Sequence, residues 1–198
     1  IYVSGENDGT FNENDYIVFY ARGPVTWRHF DGVYSRVSNP YSDYSYAFLT
    51  TDLGKGKRIQ YAENQSETTA VAVDAFLDYQ LVEEDLYNLN NMGATWYFDK
   101  YDAMTSMSYS FNFPNIIESE KCNIKVDVAA RNTSSQSSFE VRLNGNFINS
   151  IKVNKVSDNY ANIGSTGNVK FYSDSDNISV NLNFVKNSSS AAGWLDYI

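Results

Sequence analysis

Ile178-Ser179-Val180-Asn181-Leu182-Asn183-Phe184 alternates a large apolar side chain with a small polar one without a break. A strand turns successive side chains to opposite faces, so this stretch offers one face to a core and the other to water. The same period runs through Met107, Tyr109, Phe111 and Phe113, set among Ser106, Ser108, Ser110 and Asn112. It returns in Ile124, Val126 and Val128, and again in Phe139, Val141 and Leu143. Asn144-Gly145 follows the last of these and reads as a tight hairpin turn. Short antiparallel strands at this spacing predict a β-sandwich, jelly-roll-like, over residues 103–198.

Working outward, residues 1–102 are strand-rich but less regular. Candidate strands are 15–21, 45–51, 57–62 and 69–81, with Gly54-Lys55-Gly56-Lys57 as a turn between two of them. The polar stretch 82–91 reads as holding a short helical turn, and no long amphipathic helix stands out. The fold class expected is all-β: an antiparallel sandwich, jelly-roll-like in its C-terminal half, with an irregular strand-rich N-terminal half. The division is placed at 102/103, where no Pro/Gly-rich gap marks it. One sheet system shared by both halves is the alternative.

Aromatic residues make up 16% of the 198, including 16 Tyr, which suits pleated, half-buried surfaces. A formal net charge of -9 disfavours nucleic acid, which is held by cations on phosphates. It equally disfavours attraction to anionic lipid. No apolar stretch of membrane length occurs, so no direct membrane insertion is expected. The single cysteine, Cys122, allows no internal disulfide. Asn-X-Ser occurs at Asn64, Asn132, Asn177 and Asn187 and reads as chance in so Ser- and Asn-rich a chain.

Few residues invite chemistry. The segment 4–15 resembles a calcium loop, with Glu6, Asp8, Asn12 and Asp15 at ligand positions around Gly9, because calcium takes six to eight oxygens. Ser4 stands where a first Asp is usual, and Asp15 where a bidentate Glu is usual. The competing reading is a turn in which Asp8-Gly9 reverses the chain. Otherwise no cofactor is expected. Cys122 reads as a small buried or edge residue and His29 as a loop or surface group, since nothing local pairs them as nucleophile and base. Glu83-Glu84-Asp85, Asp99 with Asp102, and Asp174 with Asp176 read as solvated acids before they read as a glycosidase pair. Trp27, Tyr41, Tyr44, Tyr46 and Trp96 lie among polar residues and are candidates for a binding surface, on sugar rings or on protein.

Four blocks in order resemble one family. Asp8-Gly9-Thr10-Phe11 followed by Asp15-Tyr16-Ile17-Val18-Phe19-Tyr20-Ala21-Arg22-Gly23 is similar to a run in gingipain-type secreted cysteine peptidases. Asn39-Pro40-Tyr41-Ser42-Asp43 with the stretch 46–51 resembles the next block, and Glu83, Asp85, Asn88, Leu89, Gly93 and Trp96 the one after. Gly193-Trp194-Leu195-Asp196-Tyr197-Ile198 resembles the junction into the peptidase domain. The order points to the sortase of the type IX (Por) secretion system. Met92-Gly93-Ala94-Thr95-Trp96 departs from the Ser-Gly-Arg-x-Trp expected there, and Val82 stands in place of a His.

The resemblance implies a parent enzyme on the extracellular face of the Gram-negative outer membrane. That parent would remove C-terminal signals from secreted cargo and attach the cargo to lipopolysaccharide. The resemblance also implies a peptidase domain after Ile198, carrying the catalytic Cys and His, so no catalytic residue is carried onto this chain. Expected partners are that domain, outer-membrane secretion proteins and secreted cargo. The abrupt apolar ending SSSAAGWLDYI fits the same expectation. A stand-alone carbohydrate-binding or adhesion sandwich is the alternative.

Overall fold

The structure is a computed structural model that describes residues 1–31, 33–39, 41–42, 44–54, 56–63, 73–89, 95–158 and 160–198. The chain forms two compact units, Ile1–Asp74 and Ala75–Ile198.

In the first unit, β1 (Tyr2–Val3) pairs antiparallel with β2 (Ile17–Val18), Tyr2 opposite Val18 and Val3 opposite Ile17. A 3₁₀ turn at Glu6–Asp8 lies in the connection, between left-handed Gly5 and Gly9. Gly5 takes a φ of 78°, which favours glycine, and a Cβ there would displace the Asp15 carboxylate. A second hairpin joins β3 (Val25–Phe30) and β4 (Val33–Ser38), with Trp27 opposite Arg36 and His29 opposite Tyr34. The sequence reading left this hairpin out. His29 lies on a strand rather than in a loop, exposed as expected, its ring 4.7 Å from that of Tyr34.

The candidate strands 45–51 and 57–62 do not form: their described residues carry no strand. Among the described residues, two backbone links tie the second of them to Ile1. Ile59 N–H donates to Ile1 O at 2.9 Å, and the Ile1 ammonium donates to Lys57 O at 3.0 Å. Residues 73–81 of the fourth candidate are likewise without strand, and its first residues lie outside the described set. Strand propensity alone does not hold a strand that lacks a ladder partner.

The second unit supplies ten strands: β5 (Lys100–Tyr101), β6 (Ser106–Asn112), β7 (Cys122–Ile124), β8 (Asp127–Arg131), β9 (Ser137–Leu143), β10 (Asn146–Val153), β11 (Asn162–Ser165), β12 (Val169–Phe171), β13 (Asn177–Val185) and β14 (Ala192–Tyr197). One sheet has the order β10-β9-β13-β6, the other β11-β8-β14-β5, and β7 and β12 pair apart from both. With the β7–β12 pair set aside, the eight remaining strands renumbered in chain order run 1-8-3-6 in one sheet and 2-7-4-5 in the other. That order is a jelly roll, built from two interleaved Greek keys. The all-β sandwich expected from the alternating strands is what forms.

Local sequence explains the elements. Asn144 and Gly145 take positive φ of 46° and 83°, as the tight turn between β9 and β10 requires. The alternation in β13 puts Ile178, Val180, Leu182 and Phe184 inside, facing Phe139, Val141 and Leu143 of β9. Tyr101 and Phe184 close on Phe139 at ring distances of 5.3 and 4.8 Å. Fully burying each such side chain contributes roughly 1.5–3 kcal/mol. Gly193 in β14 is forced by this packing, since a Cβ there would sit 2.5 Å from Phe139 Cζ. Ile124 and Val128, expected on one strand, sit on two, β7 and β8, with Val126 buried between them.

Residues before 102 belong to this sandwich. Val82 and Ile198 exchange N–H···O bonds, both 3.1 Å. Phe98 N–H donates to Leu195 O at 2.7 Å, and Tyr87 bridges to Tyr97. The units therefore divide between Asp74 and Ala75, and a division at 102/103 would strip β5 from its sheet. The described part of 82–91 holds the Tyr87 bridge instead of a helical turn.

Candidate functional site

The four calcium candidates sit in the β1–β2 connection, each with protein around it. Glu6 pairs with Arg58 at 2.7 Å, Asp8 Oδ1 accepts from Thr10 N–H at 2.9 Å, and Asp15 Oδ2 accepts from Asn12 N–H at 2.8 Å. The backbone of Asn12 adds a bond from Asp15 N–H at 3.0 Å. These are the bonds of a self-closed turn. Among the described residues no three His, Cys, Asp or Glu side chains converge as metal ligands. The Glu6–Arg58 pair spans 52 residues, so no local pattern could have disclosed it.

The aromatic candidates divide between the units. Tyr41, Tyr44 and Tyr46 are 92, 71 and 77% exposed, and Trp27 is half-buried on β3. Trp96 belongs to the second unit, next to buried Tyr97, and is partly exposed. Sequence reading missed that Phe48, at 97%, and Tyr61, at 89%, are exposed as well. Every described hydrophobic residue that is buried lies at or beyond Tyr97. Thus the first unit displays aromatic side chains that the sandwich would bury, and exposed apolar surface of this kind marks interaction sites.

The remaining candidates have structural partners. Asp99 accepts from Tyr109 OH at 2.7 Å, and Tyr109 OH lies 2.9 Å from Tyr101 OH, a chain inside the sandwich. Burial raises the phenol pKa of both tyrosines, and their mutual contact adds to it at Tyr109. A tyrosine in place of phenylalanine at an inward position was the signal for this chain. Asp102 pairs with Lys186 at 2.9 Å and Lys100 at 3.0 Å, which hold its carboxyl below the usual range. Asp176 accepts from Ile116 N–H at 2.9 Å, while Glu84 and Asp85 stand exposed. Cys122 begins β7 half-buried, and burial pushes its thiol pKa up, opposite to what a nucleophilic cysteine needs.

Asn132 is buried, not displayed for modification. Its Oδ1 accepts from Ser134 N–H at 3.0 Å, Ser135 N–H at 3.3 Å and Ser188 Oγ at 3.2 Å. Its Nδ2 donates to Ser135 and Ser137 Oγ. On the outer face of the second sheet, Trp194 packs with Tyr97, Ala129 and Ala192, and the Arg131 guanidinium stands 5.9 Å over its ring. No helix among the described residues is long and apolar enough to cross a membrane.

The architecture is thus a jelly-roll sandwich following a smaller β-hairpin unit. The crystal structure of dimeric latent PorU from Porphyromonas gingivalis shares this fold, with a TM-score of 0.64 at 21% identity over 90% of the present chain. The chain spans 18% of the length of that one. The carbohydrate-binding module CBM36, solved with calcium and xylotriose, overlaps 46% of the chain and 69% of its own at 15% identity and a TM-score of 0.33. The insecticidal delta-endotoxin Cry8Ea1 of Bacillus thuringiensis overlaps 47% of the chain and 18% of its own at 17% identity and 0.31. No protein-family model and no curated protein matches the sequence.

Proposed function

We propose that this chain is the β-rich, non-catalytic accessory region of a type IX secretion sortase, a gingipain-type cysteine peptidase at the Gram-negative cell surface. The parent removes C-terminal signals from secreted cargo and attaches the cargo to lipopolysaccharide. In this reading the region scaffolds. It packs against the peptidase domain and presents surface to outer-membrane secretion proteins or cargo. The observation that carries it is the shared fold with PorU over 90% of the chain, in a region making up 18% of that protein. The aromatic surface of the first unit supports it, because a unit that displays Tyr41, Phe48 and Tyr61 gains from a covering partner.

The test is the reading frame beyond codon 198, followed by expression of both parts. A downstream domain with a Cys–His pair that binds this chain in trans is the expected result. A stop codon near 198, or peptide hydrolysis by the purified chain, would sink the reading. The exposure of Tyr41, Tyr44 and Tyr46 also favours a second reading, a stand-alone carbohydrate-binding or adhesion module. Glycan-array binding that is lost in Tyr41→Ala and Tyr46→Ala, together with such a stop codon, would select it.

A further inference from the structure

The two edges of the β10-β9-β13-β6 sheet are guarded differently. The β10 edge carries Lys152 and a register break between Phe147 and Asn149. Charges, bulges and covering segments keep an edge from pairing with other chains. β6 holds no charge and no proline, and its register with β13 is unbroken from Ser106 to Asn112. Phe184 N–H donates to Thr105 O at 2.7 Å, and Phe113 N–H donates to Asp176 O at 2.8 Å, so odd-numbered residues of β6 face β13. The N–H and C=O of Ser106, Ser108 and Ser110 point outward, with no partner among the described residues.

A segment of the same unit has the opposite deficit. Residues 75–80 are exposed throughout and carry no strand. Their C-terminal end is fixed. Gln80 Nε2 donates to the Asn112 carbonyl, and two residues on Val82 exchanges N–H···O bonds with Ile198. With Gln80 beside Asn112, an antiparallel course would set Phe76 opposite Ile116, past the end of β6. A parallel course sets Phe76 opposite Ser108 and Asp78 opposite Ser110, along the bare edge. In that register Leu77 and Tyr79 fall beside inward-facing Tyr109 and Phe111, while Asp78 and Gln80 fall on the wet side. The Gln80 bond and the apolar–polar pattern thus choose one register independently. A slip of one residue would turn Asp78 toward the core.

We propose that residues 75–80 are a hinged strap that closes on β6 as a fifth, parallel strand of its sheet, and that Asp78 holds the strap off. In the closed state Ser108 N–H donates to Ala75 O, Leu77 N–H to Ser108 O, Ser110 N–H to Leu77 O and Tyr79 N–H to Ser110 O. The last of these bonds has a competitor in the structure, where Tyr79 N–H donates to Asp78 Oδ1 at 2.8 Å. A short acidic side chain that takes a neighbouring backbone N–H offers the chain an alternative to a ladder. Val82 keeps its bonds to Ile198 in both states and serves as the hinge. Closed, the strap covers the edge that β6 leaves bare. Open, it leaves that edge to a strand of another polypeptide. The proposal rests on this edge geometry and not on the sortase reading.

Amide hydrogen exchange of the purified chain tests it, at a concentration where sedimentation shows a monomer. The Ser108 and Ser110 amides should exchange about tenfold more slowly than in a Leu77→Asp, Tyr79→Asp double variant, with the Phe111 amide on the β13 side unchanged. Asp78→Ala should slow them further. In a Cys122→Ser background, Phe76→Cys with Ser108→Cys should oxidise to an intramolecular disulfide, since neighbouring strands lie about 4.8 Å apart, within disulfide reach. Phe76→Cys with Ile117→Cys should not. Equal exchange in the chain and the double variant overturns the proposal, and so does indifference to Asp78→Ala. Cross-linking of the 76–117 pair in place of the 76–108 pair does the same. So does protection that appears only where the chain associates, which puts a second polypeptide on the edge.

Discussion

Phe139 and Phe48 are the same residue in opposite circumstances. Phe139 is wholly buried between Tyr101 and Phe184, whereas Phe48 is exposed in a stretch without a ladder. The sandwich and the first unit are both rich in aromatic and β-branched residues, so composition does not separate them. Pairing does. In the sandwich, alternation and register agree along β6, β9 and β13, so their inward apolar side chains find the facing sheet. In the first unit two short hairpins form, and the apolar residues after them face outward. A strand sequence becomes a strand only when a neighbour takes its backbone groups and a facing layer takes its side chains.

The contrast is open to measurement, and the largest effect should come from the centre of the sandwich. Phe139→Ala should cost about 3–5 kcal/mol, lowering the thermal midpoint by roughly 10–20 °C in calorimetry. Alkaline pH should act next and through the same core. Tyr97 is pushed up to about 12, by burial first and then by Asp196 and Asp127. Tyr101 and Tyr109 shift the same way. A tyrosine whose folded pKa is raised contributes stability that is complete below its unfolded value near 10 and is lost as pH climbs toward the folded value. Denaturant midpoints should hold level to about pH 10 and fall beyond it. Tyr109→Phe should reduce that slope.

Asn132→Ala should cost about 1–3 kcal/mol, because it leaves the loop to Ser137 without its buried hub. The same midpoint reads it, and mass spectrometry of the protein should find Asn132 without glycan. The smallest effect belongs to Phe48→Ala, expected within about 0.5 kcal/mol in the isolated chain. A cost comparable to that of Phe139→Ala would erase the distinction between the units.

Legibility in the sequence follows the same line. β6, β9 and β13 were plain because each has one wet and one dry face, and Asn144-Gly145 fixed a turn. β14 was visible as an apolar strand, but not as an inner strand of the second sheet, because Trp194 and Leu195 are both buried and alternation is lost. The β3–β4 hairpin was hidden because Thr26-Trp27-Arg28-His29-Phe30 mixes sizes and charges on both faces of a strand that buries neither. For the loop acids, sequence shows the accepting carboxylates but not the donors that meet them. Arg58 opposite Glu6, and Gly5 beneath the Asp15 carboxylate, appear only in three dimensions.

Val82 and Ile198 exchange their two backbone bonds side by side, so residues 82 and 198 meet at one corner of the sandwich. Tension on the flanking chain would load those bonds one after the other, as a zipper, and not all together, as in shear. The jelly roll would yield first at this corner, by peeling Val82 away from Ile198, while the Phe139 core stayed whole. Thermal resistance and mechanical resistance are therefore separate properties of this fold, set by different residues.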